Sequence, residues 1–476
     1  MNYETVIGLE IHCELSTKTK IFCGCDNSFG GGANTHVCPG CAGMPGTLPV
    51  LNEKVVEYAI KAGLALNCSI TPYCISDRKH YFYPDLPSSY QISQLDLPLC
   101  GPGFIDIEVA DTQKRIGITR IHIEADAGKL VHEFGDKSGV DFNRSCVALI
   151  EIVTEPDMRS PEEAVATLET IRNILKYIGV SDCKMQEGSL RCDVNVSIRP
   201  FGQEKFGVRT EMKNINSFKA VERGIRYEVE RQKEVLAEGG TLVQQTRKWD
   251  DNKGSNSALR NKETATDYRY LPDPDLAPIV TDEAKVESIR KTLPELPKAK
   301  RARFEAEYTI PAYDANILSA SPGLADFFEK AANVCKNAKA ASNWLMGDVM
   351  KIANEKEIEM DSLPFSPEYL GELIVLIEKG TISGPIAKKV LPMMFDENKS
   401  PEALVKEHGL VQISDEGAIK DIILTVFANN PQSLSDYKAG KKQATGYLIG
   451  QAMRELKGKG NPQIVNRLVT SLLEEQ

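Results

Sequence analysis

The sequence predicts an α+β fold, in which a large antiparallel β-sheet with flanking helices precedes a helical domain and a small helical tail. Five segments of the N-terminal part alternate apolar with polar residues, which is the two-residue period of strands. Three other segments of that part repeat apolar residues at helical spacing, and helical periodicity dominates from Leu293 onward. Because 476 residues exceed a single core, we expect domains at 1–292, 293–404 and 405–476.

The first alternating segment opens the chain and predicts a strand with one polar face. Leu9 and Ile11 lie on the face that can pack on a core, since successive side chains point to opposite sides of a strand. The other face carries Glu10, His12 and Glu14. Two carboxylates around an imidazole suit a divalent cation, although a half-exposed strand of ordinary polarity explains this segment equally well.

Four later segments repeat this pattern of one polar and one apolar face. Their polar faces carry Arg120, His122, Glu124 and Asp126; Glu151 and Glu155; Arg191, Asp193, Asn195 and Ser197; and Arg209, Glu211 and Lys213. We expect all five strands to form one sheet whose polar side is a cleft. Its carboxylates would hold a metal ion and its basic groups an anion such as phosphate, the alternative being a plain solvated face.

Four cysteines form two close pairs, Cys23 with Cys25 and Cys38 with Cys41. A C-x-C pair and a C-x-x-C pair suit a tetrahedral Zn2+ ion with four thiolate ligands, and a site closed in this way is structural. An iron–sulfur cluster also uses four cysteines, but the spacing matches neither common ferredoxin pattern, and unliganded thiols are the remaining alternative. We therefore predict a structural zinc site.

Three helices are predicted between the strands of the N-terminal part. The first covers residues 52–66, and the third extends from about Lys219 to Ala237. The second has the strongest start signal, with Ser160 as N-cap, Pro161 in the first turn and Glu163 completing a capping box, and it continues to about Tyr177. We expect these helices to cover the apolar face of the sheet.

Composition indicates a soluble globular protein, with 42% hydrophobic and 26% charged residues. The sequence begins without a secretory signal and has no run of about 18 apolar residues, so we expect no export, no membrane span and a cytoplasmic location. The cysteines are then expected to be reduced. A net charge of −10 disfavours non-specific binding of nucleic acid by the surface as a whole.

Common nucleotide-binding and hydrolase motifs are missing from the sequence. It contains no G-x-x-x-x-G-K-[ST] loop, no G-x-G-x-x-G fingerprint and no G-x-S-x-G elbow. A loop at 77–91 contains Arg78, Lys79 and Tyr81, which can contact a phosphate or a ribose. A surface turn with buried aromatic rings is an equally simple account of this loop.

A basic stretch lies near the end of the chain, between residues 441 and 467. It contains Lys441, Lys442, Arg454, Lys457, Lys459 and Arg467 against the single acidic residue Glu455. Charge runs of this kind usually form a solvated helical face. A contact with nucleic acid is the less common alternative.

Several longer motifs carry a resemblance to a known family. They are Gly8-Leu-Glu-Ile-His12, Asp77-Arg-Lys-His-Tyr-Phe-Tyr-Pro-Asp85, Tyr90-Gln-Ile-Ser-Gln94, Asp126-Ala-Gly-Lys129, Leu149-Ile-Glu-Ile-Val153, Glu187-Gly-Ser-Leu-Arg-Cys-Asp193, Glu211-Met-Lys-Asn-Ile-Asn-Ser217, Asn343-Trp-Leu-Met-Gly347 and Asn461-Pro462. In this order they resemble the B subunits of aspartyl/glutamyl-tRNA amidotransferase, the GatB family, over essentially the full length. The sequence continues from residue 271 into the helical part without the large insertion of the archaeal sister family, which favours the bacterial type.

The resemblance implies an enzyme subunit that works with two partners. An amidase A subunit would release ammonia from glutamine or asparagine, and a small C subunit would complete a heterotrimer. The B subunit would bind misacylated tRNA(Gln) or tRNA(Asn), phosphorylate the side-chain carboxylate of the attached Glu or Asp with ATP and Mg2+, and let ammonia displace phosphate. Such a reaction needs mainly positioning and charge neutralisation, which the predicted cleft supplies.

Carried over by position, the resemblance implies Mg2+ ligands at Glu10, His12 and Glu151. The family commonly has two consecutive glutamates before Asp-Ala-Gly, where this sequence has Glu124 followed by Ala125, so we expect Glu124 to be the fourth ligand. The expected nucleotide- and phosphate-binding residues are Arg78, Lys79, Tyr81, Arg191, Asp193 and Lys213. The tail resembles a YqeY-type domain, which implies tRNA binding by Lys441, Lys442, Lys457 and Lys459.

Two other functions compete with this one. A zinc-bearing RNA-binding adaptor would share the fold but would have no need for acidic groups on the sheet. A stand-alone ATP-dependent ligase would use free ammonia or have its own amine-donor site.

Overall fold

A computed structural model describes residues 2–110, 112–261, 268–413, 415–438, 441, 443–457 and 459–475 of the protein. The chain divides into two compact units, Met1–Leu296 and Pro297–Gln476. The first unit contains the strands and the second is helical. The predicted α+β class is therefore confirmed, whereas the three-domain division remains a prediction.

The first unit is built on one large sheet and several short ladders. Its strands are β1 Tyr3–Glu14, β2 Tyr73–Cys74, β3 Asp77–His80, β4 Tyr90–Ser93, β5 Gly103–Val109, β6 Thr112–Ala125, β7 Lys129–Phe134, β8 Lys137–Asp141, β9 Ala148–Thr154, β10 Leu190–Pro200, β11 Thr210–Ile215, β12 Gln245–Asp250, β13 Ser255–Asn261, β14 Leu271–Pro272 and β15 Ile279–Val280. Among the described residues the large sheet has the order β13-β12-β11-β10-β1-β9-β6-β5.

The five strands with predicted polar faces, β1, β6, β9, β10 and β11, are contiguous in this sheet. β1 lies at their centre and pairs antiparallel with β10 on one side and β9 on the other. The register places His12 opposite Arg191 on β10 and opposite Glu151 on β9, and it places His122 of β6 opposite Glu151 as well. Residues far apart in the sequence thus form a row across the sheet.

Four helices accompany the sheet, α1 Glu53–Ala65, α2 Pro161–Tyr177, α3 Phe218–Ala237 and α4 Glu283–Arg290. The first three begin at N-caps whose side chains accept a backbone N–H, namely Asn52, Ser160 and Ser217. Their apolar faces pack with the apolar face of the sheet in one hydrophobic cluster, as predicted.

One pair of strands departs from the predicted antiparallel arrangement. β11 and β12 are parallel, while the other neighbouring strands of the large sheet are antiparallel. The reason is the connection, because α3 carries the chain from the end of β11 back to the start of β12. The sheet is therefore mixed.

The second unit contains only helices among its named elements. They are α5 Pro297–Tyr308, α6 Ala312–Leu318, α7 Pro322–Cys335, α8 Ala338–Trp344, α9 Met350–Glu355, α10 Pro367–Glu378, α11 Gly384–Glu397, α12 Pro401–Glu407, α13 Glu416–Asn429, α14 Pro431–Lys438, α15 Gln443–Glu455 and α16 Pro462–Glu474, with a π-helical turn at Leu345–Val349 and a 3-10 turn at Met360–Ser362. Two separate hydrophobic clusters stabilise this unit, one formed by residues between Phe304 and Val405 and the other by residues between Ile419 and Leu473. Across the described part of the chain, every helix is too short or too polar to traverse a bilayer.

Candidate active site and metal centre

The polar face of the large sheet brings three predicted metal ligands together. One side-chain ligand atom from each of His12, Glu124 and Glu151 lies within 4.8 Å of the other two. They come from β1, β6 and β9, whose register aligns them. Two carboxylates and an imidazole in such a group form a donor set that can hold a divalent cation, and the carboxylates supply the oxygen ligands that Mg2+ prefers.

Two histidine rings lie against the two carboxylates of this group. The Nε2 atom of His12 lies 3.3 Å from Oε2 of Glu151, and Nε2 of His122 lies 3.1 Å from Oε1 of Glu124 and 3.7 Å from Oε2 of Glu151. Both carboxylates are nearly inaccessible, with Glu124 3% and Glu151 9% exposed. Because buried charges are costly unless they are paired, the anionic group requires cations or donors at its rim.

The ionisation of this group follows from its partners. Burial by itself would raise the pKa of Glu124, but the His122 hydrogen bond and the charges of His122 and Lys79 lower it to about 2. Burial by itself would also raise the pKa of Glu151, but the charge of His122 and the hydrogen bond with His12 lower it. Burial by itself would lower the pKa of His12, but the hydrogen bond with Glu151 raises the pKa of the imidazole to about 9. Both carboxylates are therefore anionic at neutral pH.

Two residues of the Tyr90–Gln94 motif, to which the sequence analysis assigned no role at the metal site, hold Glu124 in place. Ser93 Oγ donates to Glu124 Oε1 at 2.7 Å, and Gln91 Nε2 donates to Oε2 at 3.2 Å and to the carbonyl of Ala125 at 2.9 Å. Both lie on β4, which belongs to a different, three-stranded sheet. The alternation of Gln91 and Ser93 around the buried Ile92 is the signal that could have revealed them.

Glu10 belongs to a second acidic group beside the first. Ligand atoms of Glu10, Asp193 and Glu211 lie within 4.8 Å of one another. Lys213 Nζ pairs with Asp193 and lies 3.2 Å from Glu211 Oε1, so one lysine side chain contacts two of the three carboxyl groups. Asn195 Nδ2 donates to Glu10 Oε1 at 2.9 Å. The four expected Mg2+ ligands are thus divided between two neighbouring groups.

Arg191 reaches the same face but is paired with a carboxylate. Its Nη2 atom donates to Asp126 Oδ2 at 2.5 Å, and Arg144 Nε lies 3.6 Å from the same oxygen. Burial and the nearby charge of Asp126 raise the pKa of Glu14 to about 8. Arg191 therefore neutralises this end of the face.

The loop residues predicted to bind phosphate differ in their surroundings. Arg78 donates from Nε to Asp273 at 2.9 Å and from Nη2 to Asp275 at 2.6 Å, so its guanidinium joins β3 to the segment after β14. Lys79 lies over the ring of Tyr268 at 5.1 Å. Burial would lower the pKa of Lys79, but the charge of Glu124 raises it above its ordinary value, which keeps an ammonium beside the first acidic group.

Comparisons with known proteins identify the family of this chain. A family model described as the GatB/GatE catalytic domain matches residues 5–287, and one described as the GatB domain matches residues 326–473. The chain belongs to the GatB family.

Relatives in this family cover the chain from end to end. The chain is 57% identical over 476 residues to the B subunit of the aspartyl/glutamyl-tRNA(Asn/Gln) amidotransferase of Thermoanaerobacter sp. strain X514, with the whole of both chains covered. It is 57% identical over 479 residues to the B subunit of the same name from Caldicellulosiruptor bescii, also over both whole chains, and 55% identical over 471 residues to that of Clostridium botulinum, strain Loch Maree, over 99% of each. These relatives confirm the resemblance and identify this GatB chain as a member of a family of enzyme subunits.

The GatB chain also contains the predicted four-cysteine centre. The Sγ atoms of Cys23, Cys25, Cys38 and Cys41 all lie within 4.8 Å of one another, and Cys41 Sγ is 3.9 Å from Sγ of both Cys25 and Cys38. Four thiolates at Zn–S distances of about 2.3 Å around a tetrahedral zinc have S···S separations of roughly 3.8 Å. The residues therefore fit a tetrahedral metal ion.

Three of the predicted tRNA-binding lysines of this GatB chain, Lys441, Lys457 and Lys459, lie in loops between the tail helices. Lys441 Nζ is 3.0 Å from Asp436 Oδ1, and Lys459 Nζ donates to the carbonyl of Gly409 at 2.5 Å. Lys457 follows α15 with a positive φ of 52°. Lys442 lies outside the described residues. Lys459 consequently stabilises the end of α12, in addition to any contact with RNA.

Proposed function

We propose that the chain phosphorylates the side-chain carboxylate of Glu or Asp attached to tRNA, and that ammonia then converts this carboxylate to an amide. ATP donates its γ-phosphoryl group to a carboxylate oxygen, which gives an acyl phosphate and ADP. The nitrogen of ammonia attacks the acyl carbon, the C–O bond breaks, and phosphate leaves. The products are Gln-tRNA or Asn-tRNA.

The observation that carries this proposal is the pair of adjacent acidic groups, each beside a lysine. His12, Glu124 and Glu151 form one group near Lys79. The other group adjoins Lys213. Phosphoryl transfer to an anionic acceptor needs cations at the site, because they must offset the repulsion between ATP and the carboxylate. The acidic groups can bind metal cations, and the two lysines are cations themselves.

Mg2+ bound at these groups would polarise phosphate oxygens and neutralise developing charge. We assign its binding to His12, Glu124 and Glu151, with Glu10 in the neighbouring group as a further carboxylate. Lys79, Lys213 and Tyr81 would orient the phosphates and the ribose. The four cysteines would hold a structural Zn2+ and take no part in the reaction.

The partners follow from the same reaction. Its ammonia would come from an amidase A subunit, held with a small C subunit in a heterotrimer, and the naming of the relatives as B subunits supports such an assembly. The substrate is misacylated tRNA(Gln) or tRNA(Asn). The cytoplasm, where tRNA is aminoacylated, is the proposed compartment.

The test combines the chain and its A and C partners with Glu-tRNA or Asp-tRNA, Mg2+, glutamine and γ-labelled ATP. Phosphate release and the amino acid recovered from tRNA are followed together. We expect Glu151→Gln to lower both by more than roughly 100-fold while tRNA affinity stays unchanged, since a lost metal ligand removes charge stabilisation. The matched control is Glu155→Gln, an exposed carboxylate that directly follows β9.

The two competing functions predict different results in this assay. An adaptor binds tRNA tightly with no ATP turnover, and Glu151→Gln then changes nothing. A stand-alone ligase forms amide from free ammonia without either partner. Full turnover by the Glu151→Gln enzyme would contradict the proposed site.

A further inference from the structure

A lysine without solvent exposure lies beside the four-cysteine centre. Lys20 lies in the loop after β1 and is 0% exposed. Its Nζ atom donates to Cys41 Sγ at 3.6 Å and to the carbonyl oxygen of Phe142 at 3.2 Å. Lysine is almost never fully buried unless its charge is paired.

Within the described part of the chain, the two acceptors of the Lys20 ammonium are a sulfur and a carbonyl oxygen, and neither is a carboxylate. A buried ammonium next to a carbonyl and a neutral thiol would retain most of its desolvation cost. Thiolates change this balance, because four of them around a divalent ion have a net charge of −2. The burial of Lys20 is thus accounted for by an anionic metal–thiolate centre rather than by four neutral thiols.

We propose that Lys20 is the buried counter-ion of the four-cysteine centre, and that it sets how tightly this centre holds its metal. This inference rests on the proposed zinc site. The ammonium offsets half of the excess negative charge and donates a hydrogen bond to the Cys41 thiolate. It therefore stabilises the loaded state more than the empty one.

Lys20 also connects the centre to the segment that leads to the acidic face. Ser145 Oγ donates to the carbonyl of Cys41 at 3.0 Å, in parallel with the bond from Lys20 to Phe142. The next residue, Cys146, donates its N–H to the carbonyl of Asp126 at 2.9 Å. Lys20 is in this sense a positioning residue, because it acts through the metal centre and this segment.

The test measures metal binding by the full chain purified with its A and C partners. Zinc content is determined first, and then the rate at which zinc passes to a chromogenic chelator. We expect Lys20→Met to hold zinc roughly 10- to 100-fold more weakly, the usual effect of removing a group that contacts a metal ligand. Lys18→Met is the control, since Lys18 lies in the same loop and is exposed.

A second variant distinguishes the effect of charge from that of hydrogen bonding, and it keeps the test possible if Lys20→Met does not fold. Lys20→Gln keeps an N–H donor without the charge, and we expect it to fold, by circular dichroism, and to release zinc at least tenfold faster than the unchanged protein. Titration with Co2+ gives an independent affinity from the thiolate charge-transfer absorption. Equal affinities for the Lys20→Gln and unchanged proteins would overturn the role of Lys20.

The outcomes distinguish this inference from the zinc site on which it rests. Zinc-free protein that also fails to bind Co2+ tetrahedrally would refute the metal centre itself. One zinc per chain, released from the Lys20 variants no faster than from Lys18→Met, would refute only the counter-ion. One zinc per chain with faster release from the Lys20 variants alone supports both.

Discussion

Glu124 is held by three side chains that come from two strands. His122 is its neighbour on β6, and Ser93 and Gln91 approach from β4. A carboxylate that accepts several hydrogen bonds stays ionised and keeps one orientation. Ser93 thus belongs to the shell that orients a proposed metal ligand, where substitutions commonly cost 10- to 100-fold.

We expect Ser93→Ala to lower the rate of ATP-dependent phosphate release roughly tenfold and to raise the Mg2+ concentration needed for half-maximal rate. The physical reason is that Glu124 loses its 2.7 Å hydrogen bond while the carboxylate itself remains. The measurement is a Mg2+ titration of phosphate release. Ser257→Ala, at an exposed position on β13, should leave the titration unchanged.

The sequence resemblance implied one set of four Mg2+ ligands, Glu10, His12, Glu124 and Glu151, whereas the structure divides this set between two groups. Alternation placed His12, Glu124 and Glu151 on polar faces, and the register of three strands then brought them within 4.8 Å. Glu10 shares a face with His12, yet it lies beside Asp193 and Glu211 because β10 and β11 approach from the other side. Strand order is a long-range property that alternation along one segment does not encode.

At the scale of elements, α3 is joined to the edge of the large sheet by a buried acidic residue. Glu228 is 0% exposed and accepts hydrogen bonds from Arg231 at 2.6 Å, Gln232 at 2.8 Å and Asn256 of β13 at 2.9 Å. Burial would raise the pKa of Glu228, but the Arg231 hydrogen bond and the other donors lower it below its ordinary value of 4.5. The carboxylate therefore stabilises this edge in its charged form.

We expect Glu228→Gln to lower the free energy of unfolding by about 3 kcal/mol at pH 7, because it leaves Arg231 without its buried partner. Since the folded pKa is below the unfolded one, this stabilisation is present above about pH 4.5 and disappears as the pH falls further. The difference between the two proteins should accordingly shrink towards pH 4 and below.

The measurement is urea unfolding followed by the fluorescence of Trp249, in a Trp344→Phe background so that only the first unit reports. Glu230→Gln is the matched control, because Glu230 lies on the same helix with its side chain 66% exposed. A destabilisation that stays constant from pH 7 to pH 4 would contradict the assigned charge.

The helix boundaries of the first unit were predicted most accurately, and the pairing of β11 with β12 was predicted least accurately. The Ser160 cap and the Pro161 start fixed α2 to the residue, because capping chemistry is local. The parallel pairing of β11 with β12 was missed, since α3 between them could equally have led to an antiparallel neighbour. A crossover is decided by how the helix packs on the sheet, which no local pattern records.

At the scale of the molecule, the tail has a core of its own. Residues between Ile419 and Leu473 form a cluster distinct from the one that ends at Val405. Leu410 still packs on the earlier cluster, so a chain that ends at Leu410 keeps that cluster intact. The basic residues at 441–467 can therefore be removed without loss of the other two hydrophobic cores.

We expect this shortened chain to bind tRNA roughly tenfold or more weakly at physiological salt, because each lysine that contacts a phosphate adds to the electrostatic part of the affinity. The slope of the logarithm of affinity against the logarithm of salt concentration should become shallower by about one for each lysine–phosphate pair that the truncation removes. The measurement is tRNA binding over a range of salt concentrations. Unchanged affinity and slope would make the basic stretch a plain solvated face.

β1 has little freedom to change its length. Its partners on both sides fix its register, and its two faces serve a core and an acidic site. One inserted residue within it would exchange the apolar and the acidic faces beyond the insertion, and two would restore the faces but move His12 away from Glu151. Variation within this strand is therefore confined to substitutions, and differences in length among relatives belong in the loops on either side.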